Sequence, residues 1–157
     1  MGGVGSLISH EERGRRMDNV DVVRRIEEAY SNEDYAALDG LIAPDLAAHT
    51  PGAEMMPPGI EGAKAADVGA HQSFPDKRTE ILDIFGEGDK VVAHVRMTGT
   101  NQGGLPWAGI PANGNAVDVD WIQISRHGTD GKVVETWAQM DTTKLMMQLG
   151  AIPGMEG

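Results

Sequence analysis

The sequence contains no cysteine, which excludes disulfide bonds, thiolate nucleophiles and cysteine-ligated metal sites. Basic residues are also scarce. There are 13 lysines and arginines against 24 aspartates and glutamates, giving a net charge of −11. A field of that sign repels nucleic acid and anionic membrane surfaces, so neither is expected as a partner. No apolar run approaches the length that crosses a bilayer.

The length of 157 residues predicts one domain with a single hydrophobic core. Residues 1–17 are rich in glycine and arginine without a steady period, and they predict a disordered tail. The domain is expected over residues 18–150, followed by a second short tail over 151–157. The brief apolar stretch near the N-terminus lacks the basic run of a secretory signal, so the expected location is cytoplasmic.

Helical periodicity dominates the first half of the chain. Apolar residues from Val20 to Tyr30 recur at three- and four-residue steps, which predicts an amphipathic helix capped by Asp18 or Asn19. A second helix is predicted to begin at Tyr35 and to end at Pro44, because proline disfavours helical backbone in the residue before it. The remaining elements of this kind are a short extended segment over 45–52, a helix over 59–72 and a closing helix over 142–149.

Alternating polarity replaces helical periodicity after Pro75. The glycine-containing connections at 87–89 and 128–131 predict hairpins, so the strands that they join should pair antiparallel. Helices followed by a meander of strands predict an α+β fold, in which a strongly curved antiparallel sheet and its covering helices enclose a pocket. The four predicted strands cover residues 78–85, 90–100, 116–126 and 132–139.

Alternation along the third predicted strand, residues 116–126, divides its side chains between the two faces of the sheet. Trp121 and Gln123 share one parity and are expected to face the pocket, while Asp118 and Asp120 should face away from it. A register shift of one residue would exchange the faces and make the two aspartates the pocket acids. Ile122 also lies on the face turned away, together with Ile124, and this apolar surface suggests that a second copy of the chain covers it.

Seven short motifs keep their order and spacing between residues 74 and 150. They are Phe74-Pro75-Asp76, Glu87-Gly88-Asp89-Lys90-Val91-Val92, Gly99-Thr100, Gly109-Ile110-Pro111 with Gly114, Arg126, Gly131-Lys132-Val133-Val134-Glu135 with Trp137, and Gln148-Leu149-Gly150. With these motifs the sequence resembles the SnoaL-like polyketide cyclases. The resemblance implies the cone-shaped α+β barrel shared with ketosteroid isomerase and scytalone dehydratase, a homodimer, and neither metal nor organic cofactor.

The resemblance also implies a reaction, the aldol ring closure of a polyketide ester. In such a site a pocket carboxylate with a raised pKa removes a proton beside a carbonyl, and histidine or glutamine donors hold the enolate. The family's His-Trp-Asp run on the last strand is Thr136-Trp137-Ala138 here, and the histidine expected after Gly99-Thr100 is Asn101. The resemblance therefore implies a related pocket with an altered catalytic set.

Four residues are candidates for the catalytic role. Asp141 is the carboxylate nearest to Ala138, although an aspartate ahead of an apolar run is also a typical helix N-cap. Asp120 enters the pocket only if the register shifts. Gln123 is either a donor to a ligand carbonyl or a surface glutamine. His49 stands where the family often has a pocket histidine, and a structural histidine is the equal alternative.

A hydrophobic, polyketide-like ligand is expected to contact a larger set. We interpret Trp137 as lining or bracing the pocket wall, and methionines as adaptable surface for flat molecules. No pair of the five histidines has metal-ligand spacing such as His-x-x-x-His, so no metal site is predicted. The substrate-binding candidates are Trp137, Trp121, Asn101, Trp107, Met56, Met97 and Tyr30.

Three functions follow from these residues. The first is a cofactor-independent cyclase, isomerase or hydroxylase with a rearranged acid–base set. The second is a non-catalytic protein that binds small molecules in the same fold. The third is a structural dimer whose cavity is filled by side chains.

Overall fold

The structure, a computed structural model, describes residues 17–154. The predicted tail over 1–17 lies outside the described residues except for Met17, and residues 155–157 lie outside them as well. The helices are α1 (Asn19–Ser31), α2 (Tyr35–Leu38), α3 (Ile60–Ser73) and α4 (Thr142–Gln148). The strands are β1 (Ile42–His49), β2 (Arg78–Glu87), β3 (Lys90–Thr100), β4 (Ala116–His127) and β5 (Val133–Met140).

The five strands form one curved sheet in the order β1-β5-β4-β3-β2. Strands β2 to β5 pair antiparallel with their neighbours, as the hairpin connections predicted. Strand β1 adds to the free edge of β5 in parallel, which makes the sheet mixed. The predicted α+β fold with a curved sheet and covering helices is confirmed, and the parallel edge strand is an addition to it.

Strand β1 corrects the predicted second helix. Helix α2 ends at Leu38, and Ile42 already begins the strand. Leu38 and Ile42 are buried in the same cluster against α1. Their spacing in the sequence therefore matched the apolar pattern of a helix, although only Leu38 is helical. Pro44 is tolerated in the strand because β1 is an edge strand whose pairing with β5 is interrupted between Ile42 and Ala47.

The sheet has two unlike faces. The helix-covered face carries Val95 and Trp121 opposite each other, and Ala93 opposite Gln123. The open face carries Asp118, Asp120, Ile122 and Ile124 on β4 and His94 and Arg96 on β3. The predicted faces of β4 are therefore confirmed, and the alternative with a shifted register is wrong.

Helices α1 and α4 cover the first of these faces. The side chain of Asp18 caps α1 by accepting from Val20 N at 3.2 Å. Val23 of α1 packs with the buried valines of β3, while Leu145 of α4 packs with Val119 of β4. No helix within residues 17–154 is long and apolar enough to cross a membrane.

Candidate functional site

A carboxyl group lies between α1 and the helix-covered face of the sheet. It belongs to Glu27, whose Oε1 accepts a hydrogen bond from Gln123 Nε2 at 3.3 Å. Trp121 Nε1 donates to Gln123 Oε1 at 3.0 Å, so the amide of Gln123 is oriented from both sides. These contacts confirm that Trp121 and Gln123 face the interior, and they place an acid in hydrogen-bond contact with Gln123.

The pKa of the Glu27 carboxyl is raised above its ordinary value of 4.5. Burial is the main cause because it disfavours the charged form. The hydrogen bond from Gln123 and the nearby ammonium of Lys77 act in the opposite direction, and burial outweighs them. A carboxyl group with a raised pKa is suited to proton transfer near neutral pH.

Glu27 lies close to the strand position where the family has its acid. Ala138, which replaces that acid, is the cross-strand partner of Gln123, and cross-strand partners share a face. The carboxyl group therefore comes from the covering helix and hydrogen-bonds the residue opposite the vacated position. The sequence prediction missed Glu27 because the inward side of α1 was predicted from its apolar residues. The spacing of Glu27, four after Val23 and three before Tyr30, was the available signal.

A groove of about 420 Å³ lies between α1 and β2, and Glu27 is among the residues that line it. Ser31 and Thr79 form a hydrogen bond across it, with 3.1 Å between their hydroxyl oxygens. Most of its lining is polar, and Ile81 is its apolar residue. The lining residues are Arg24, Glu27, Glu28, Ser31, Asn32, Thr79 and Ile81.

A buried ion pair adjoins this region. Lys77 Nζ donates to Asp67 Oδ1 at 2.8 Å, and the two side chains are 7% and 10% exposed. Asp67 Oδ2 accepts from Tyr35 Oη at 3.0 Å, and burial together with this hydrogen bond raises the pKa of Tyr35 to about 12. His71 Nε2 lies 3.3 Å from Asp67 Oδ2 and 3.0 Å from the carbonyl oxygen of Tyr30. Both neighbours are acceptors, so Nε2 of His71 carries a proton.

The phenol of Tyr30 belongs to the same interior. Burial raises the pKa of this phenol, and the charge of Glu27 raises it further, so the hydroxyl group stays protonated. Within residues 17–154 the Tyr30 hydroxyl makes no hydrogen bond to protein. It is therefore free to donate to a ligand oxygen.

Trp137 lies on the open face, which corrects its prediction as part of the pocket wall. Its register partner on β4 is Ile124, and its indole ring stacks on His49 with 5.4 Å between ring centroids. His49 Nε2 lies 2.8 Å from Glu135 Oε2, and Arg126 donates to the other oxygen at 3.1 Å. The predicted pocket histidine is thus on the open face too, because the pairing of β1 with β5 sets its side.

Asp120 also lies on the open face, as the unshifted register predicted. It pairs with His94, and the neighbouring Asp118 forms two hydrogen bonds with Arg96 at 2.8 and 2.6 Å. These partners hold the pKa of both carboxyls below the ordinary range. Neither aspartate faces the interior, so neither is placed to serve as a pocket base.

Asp141 and Asn101 have local structural partners. Asp141 Oδ1 accepts from Lys144 N at 2.9 Å, so the N-cap interpretation of Asp141 describes what is found. Asn101 is fully buried; its amide donates to Pro111 O at 3.0 Å and accepts from Gly104 N at 2.9 Å. Those contacts hold the loop between β3 and β4, and they leave Asn101 away from the groove.

The remaining apolar candidates are dispersed. Met97 is buried in the core with Phe74, and Trp107 is 60% exposed in the loop between β3 and β4. Met56 is half-buried in the segment before α3. His127 at the end of β4 is buried and hydrogen-bonds Ser125 and the Gly131 carbonyl. Among residues 17–154, no three His, Asp or Glu side chains converge as a metal site.

This curved sheet with a helix-covered interior is the fold of known cone-shaped proteins. TsrD from Streptomyces laurentii superposes with a TM-score of 0.76 at 30% identity, covering 87% of this chain and 100% of TsrD. IdmH, a putative polyketide cyclase from Streptomyces antibioticus, superposes with a TM-score of 0.73 at 30% identity, covering 85% of this chain and 99% of IdmH. AclR, a putative hydroxylase from Streptomyces galilaeus, superposes with a TM-score of 0.69 at 24% identity, covering 93% of this chain and 85% of AclR. At that identity the likeness is evidence for the fold and not for the function.

The sequence itself matches the profile of the SnoaL-like polyketide cyclases over residues 20–149. The chain belongs to this family, as the seven motifs predicted. No curated protein sequence matches it significantly.

Proposed function

We propose that the chain binds a small, flat, hydrophobic molecule of the polyketide type in its interior and performs a cofactor-independent acid–base reaction on it. The observation that carries the proposal is the carboxyl group of Glu27, which has a raised pKa, is hydrogen-bonded by Gln123 and lines an open groove. Membership of the cyclase family and the likeness to IdmH support the class of ligand. The reaction is of the aldol cyclase, isomerase or hydroxylase type.

Glu27 and Tyr30 have separate roles in the proposed reaction. The carboxylate of Glu27 takes a proton from a carbon beside a ligand carbonyl, and the electrons of the broken C–H bond move onto the carbonyl oxygen. Tyr30 lies one helical turn from Glu27 and donates its hydroxyl hydrogen to that oxygen. In a ring closure, the enolate carbon then attacks a second carbonyl, and protonated Glu27 returns its proton to the new alkoxide.

Deuterium exchange measures the first step without knowledge of the natural substrate. In D₂O the protein should speed deuterium uptake at the carbon beside the carbonyl of 1-tetralone, a flat bicyclic ketone, above the rate in buffer. Mass spectrometry of the recovered ketone measures the uptake. Ketone binding without faster exchange would contradict the catalytic proposal.

That outcome would favour the second candidate, a non-catalytic binding protein of the same fold. One observation supports it directly. Thr136 and Ala138 replace the family's ionisable residues on β5, and Ala138 leaves the position beside Gln123 without a strand carboxylate. In this candidate Glu27 holds the ligand by a hydrogen bond and no proton moves.

We also propose that the chain forms a homodimer through the open face. A single apolar row crosses four neighbouring strands there, because Phe85 pairs with Val92, Val92 with Ile124 and Ile124 with Trp137. Phe85 is 58% exposed, Ile122 beside the row is 53% exposed and Ile124 is 36% exposed. A continuous apolar row of this kind is typical of a surface that a partner covers. A second copy of the chain can cover this row, since a twofold axis places the same row on both partners.

Replacing Ile122 with lysine is expected to shift the protein from dimer to monomer. The new ammonium would lose its hydration inside an apolar interface, which disfavours association strongly. Analytical ultracentrifugation over a concentration series measures the mass. Val68→Lys is the matched control, since Val68 is 37% exposed on α3, and it should leave the dimer intact. A monomeric wild-type protein would contradict the proposal.

A further inference from the structure

The ammonium group of Lys77 has unused hydrogen-bonding capacity in the interior. Its side chain is only 7% exposed, and Asp67 Oδ1 is its one acceptor among residues 17–154. A lysine ammonium has three N–H donors, so two of them have no protein partner there. Asp67, in contrast, uses both carboxylate oxygens, which contact Tyr35, Lys77 and His71.

Lys77 lies one alternation step before two of the residues that line the groove. Lys77 directly precedes β2, and it shares the alternation of Thr79 and Ile81, both of which line the groove. Thr79 is tied to the last turn of α1 by its hydrogen bond with Ser31. Lys77 therefore lies on the same side of β2 as Thr79 and Ile81, outside the residues that line the groove. It is close enough to Glu27 for its charge to lower the pKa of that carboxyl.

We propose that Lys77 is an anion subsite that binds a carboxylate or phenolate oxygen of the ligand through its two free N–H groups. The inference rests on the proposed function, and it narrows the ligand to an acidic aromatic molecule. A hydrogen bond from an ammonium to an anionic oxygen is among the strong ones in proteins, and burial strengthens it. The charged and titratable neighbours are Glu27, Asp67 and His71. Lys77 is the cation among them that retains free donors.

A plainer role for Lys77 is to neutralise Asp67 in the core. The two roles differ in what they require of a ligand. A lysine that only neutralises Asp67 gives no preference between an acid and its ester, whereas an anion subsite selects the acid. The comparison therefore needs one ring system with and without the charge.

The test measures binding of anthraquinone-2-carboxylic acid and of its methyl ester by isothermal titration calorimetry. We expect the wild-type protein to bind the acid about tenfold more tightly than the ester, as one charge-assisted hydrogen bond provides. Lys77→Met should abolish this preference and leave ester binding unchanged. Lys64→Met is the matched control, because Lys64 pairs with Asp39 outside the groove, and it should keep the preference.

Loss of Lys77 leaves Asp67 without its cation, so the single variant can fail to fold. The double variant Lys77→Met with Asp67→Asn removes both charges, and circular dichroism checks its fold. Persistence of the acid preference in either folded variant would overturn the inference. Equal binding of acid and ester by the wild-type protein would also overturn it and leave the proposed function standing. Binding of neither compound would contradict the proposed function itself, and the subsite with it.

Discussion

Replacing Glu27 with glutamine is expected to lower turnover by about 10²- to 10⁴-fold, the usual contribution of a positioned acid–base group. Glutamine keeps an oxygen that accepts from Gln123, so the geometry is retained while the proton acceptor is lost. The deuterium uptake of 1-tetralone provides the rate. Glu28→Gln is the matched control, because Glu28 lines the same groove without contacting Gln123 and should exchange at the wild-type rate.

The pH dependence of the two proteins separates a chemical role from a structural one. The folded protein holds the proton of Glu27 more tightly than the unfolded chain, because burial raises its pKa above 4.5. The stability that Glu27 contributes is therefore complete below that pH and is lost as pH rises through the raised value. Glu27→Gln should melt no lower than the wild-type protein, with an advantage that grows as pH rises. A lower Tm at neutral pH, or unchanged turnover, would contradict the assignment.

Replacing Asp67 with alanine is expected to lower the free energy of unfolding by about 3–5 kcal/mol, as for other buried ion pairs that lose one partner. The substitution leaves the ammonium of Lys77 buried without its acceptor, and it removes the hydrogen-bond partner of Tyr35. In a domain of this size the Tm should fall on the order of 10 °C. Urea denaturation followed by circular dichroism measures the change.

The control for Asp67 is an ion pair at the surface. Asp39 accepts from Lys64 at 2.7 Å, but its side chain is 64% exposed and water replaces the contact. Asp39→Ala should therefore leave the Tm nearly unchanged. Similar losses for the two variants would show that the Asp67 pair is no more important than an exposed one. Recovery of stability in Asp67→Asn combined with Lys77→Met would identify the unpaired ammonium as the cause.

Local patterns in the sequence predicted most of the fold. The spacing of apolar residues predicted α1 and α3, and alternation predicted which side of β4 bears Trp121 and which bears Asp120. These features depend on neighbours only a few residues apart, so a local pattern is sufficient. Strand β1 was predicted only in part: residues 45–49 lie in the predicted extended segment, whereas residues 42–44 were assigned to the second helix. Pro44 was taken as the end of that helix, and the position of β1 at the sheet edge, where a proline is tolerated, is not a local property.

The site depended on distant partners, and its prediction was less successful. Trp137 faces the open side because β5 pairs with Ile124 of β4, and that register is set by the whole hairpin. Glu27 meets Gln123 across 96 positions of sequence, so the residues near Glu27 in the chain do not reveal its partner. The same is true of Asp67 and Lys77, which come from a helix and the start of a strand.

The amino-acid sequence alone determined the family, the order of the elements and the inward face of β4, because each is encoded by residue type at short spacing. Only the tertiary structure decided which carboxyl group enters the interior. Burial of Glu27 arises when α1 packs on the sheet, and that burial is the main cause of the raised pKa on which the proposed chemistry depends.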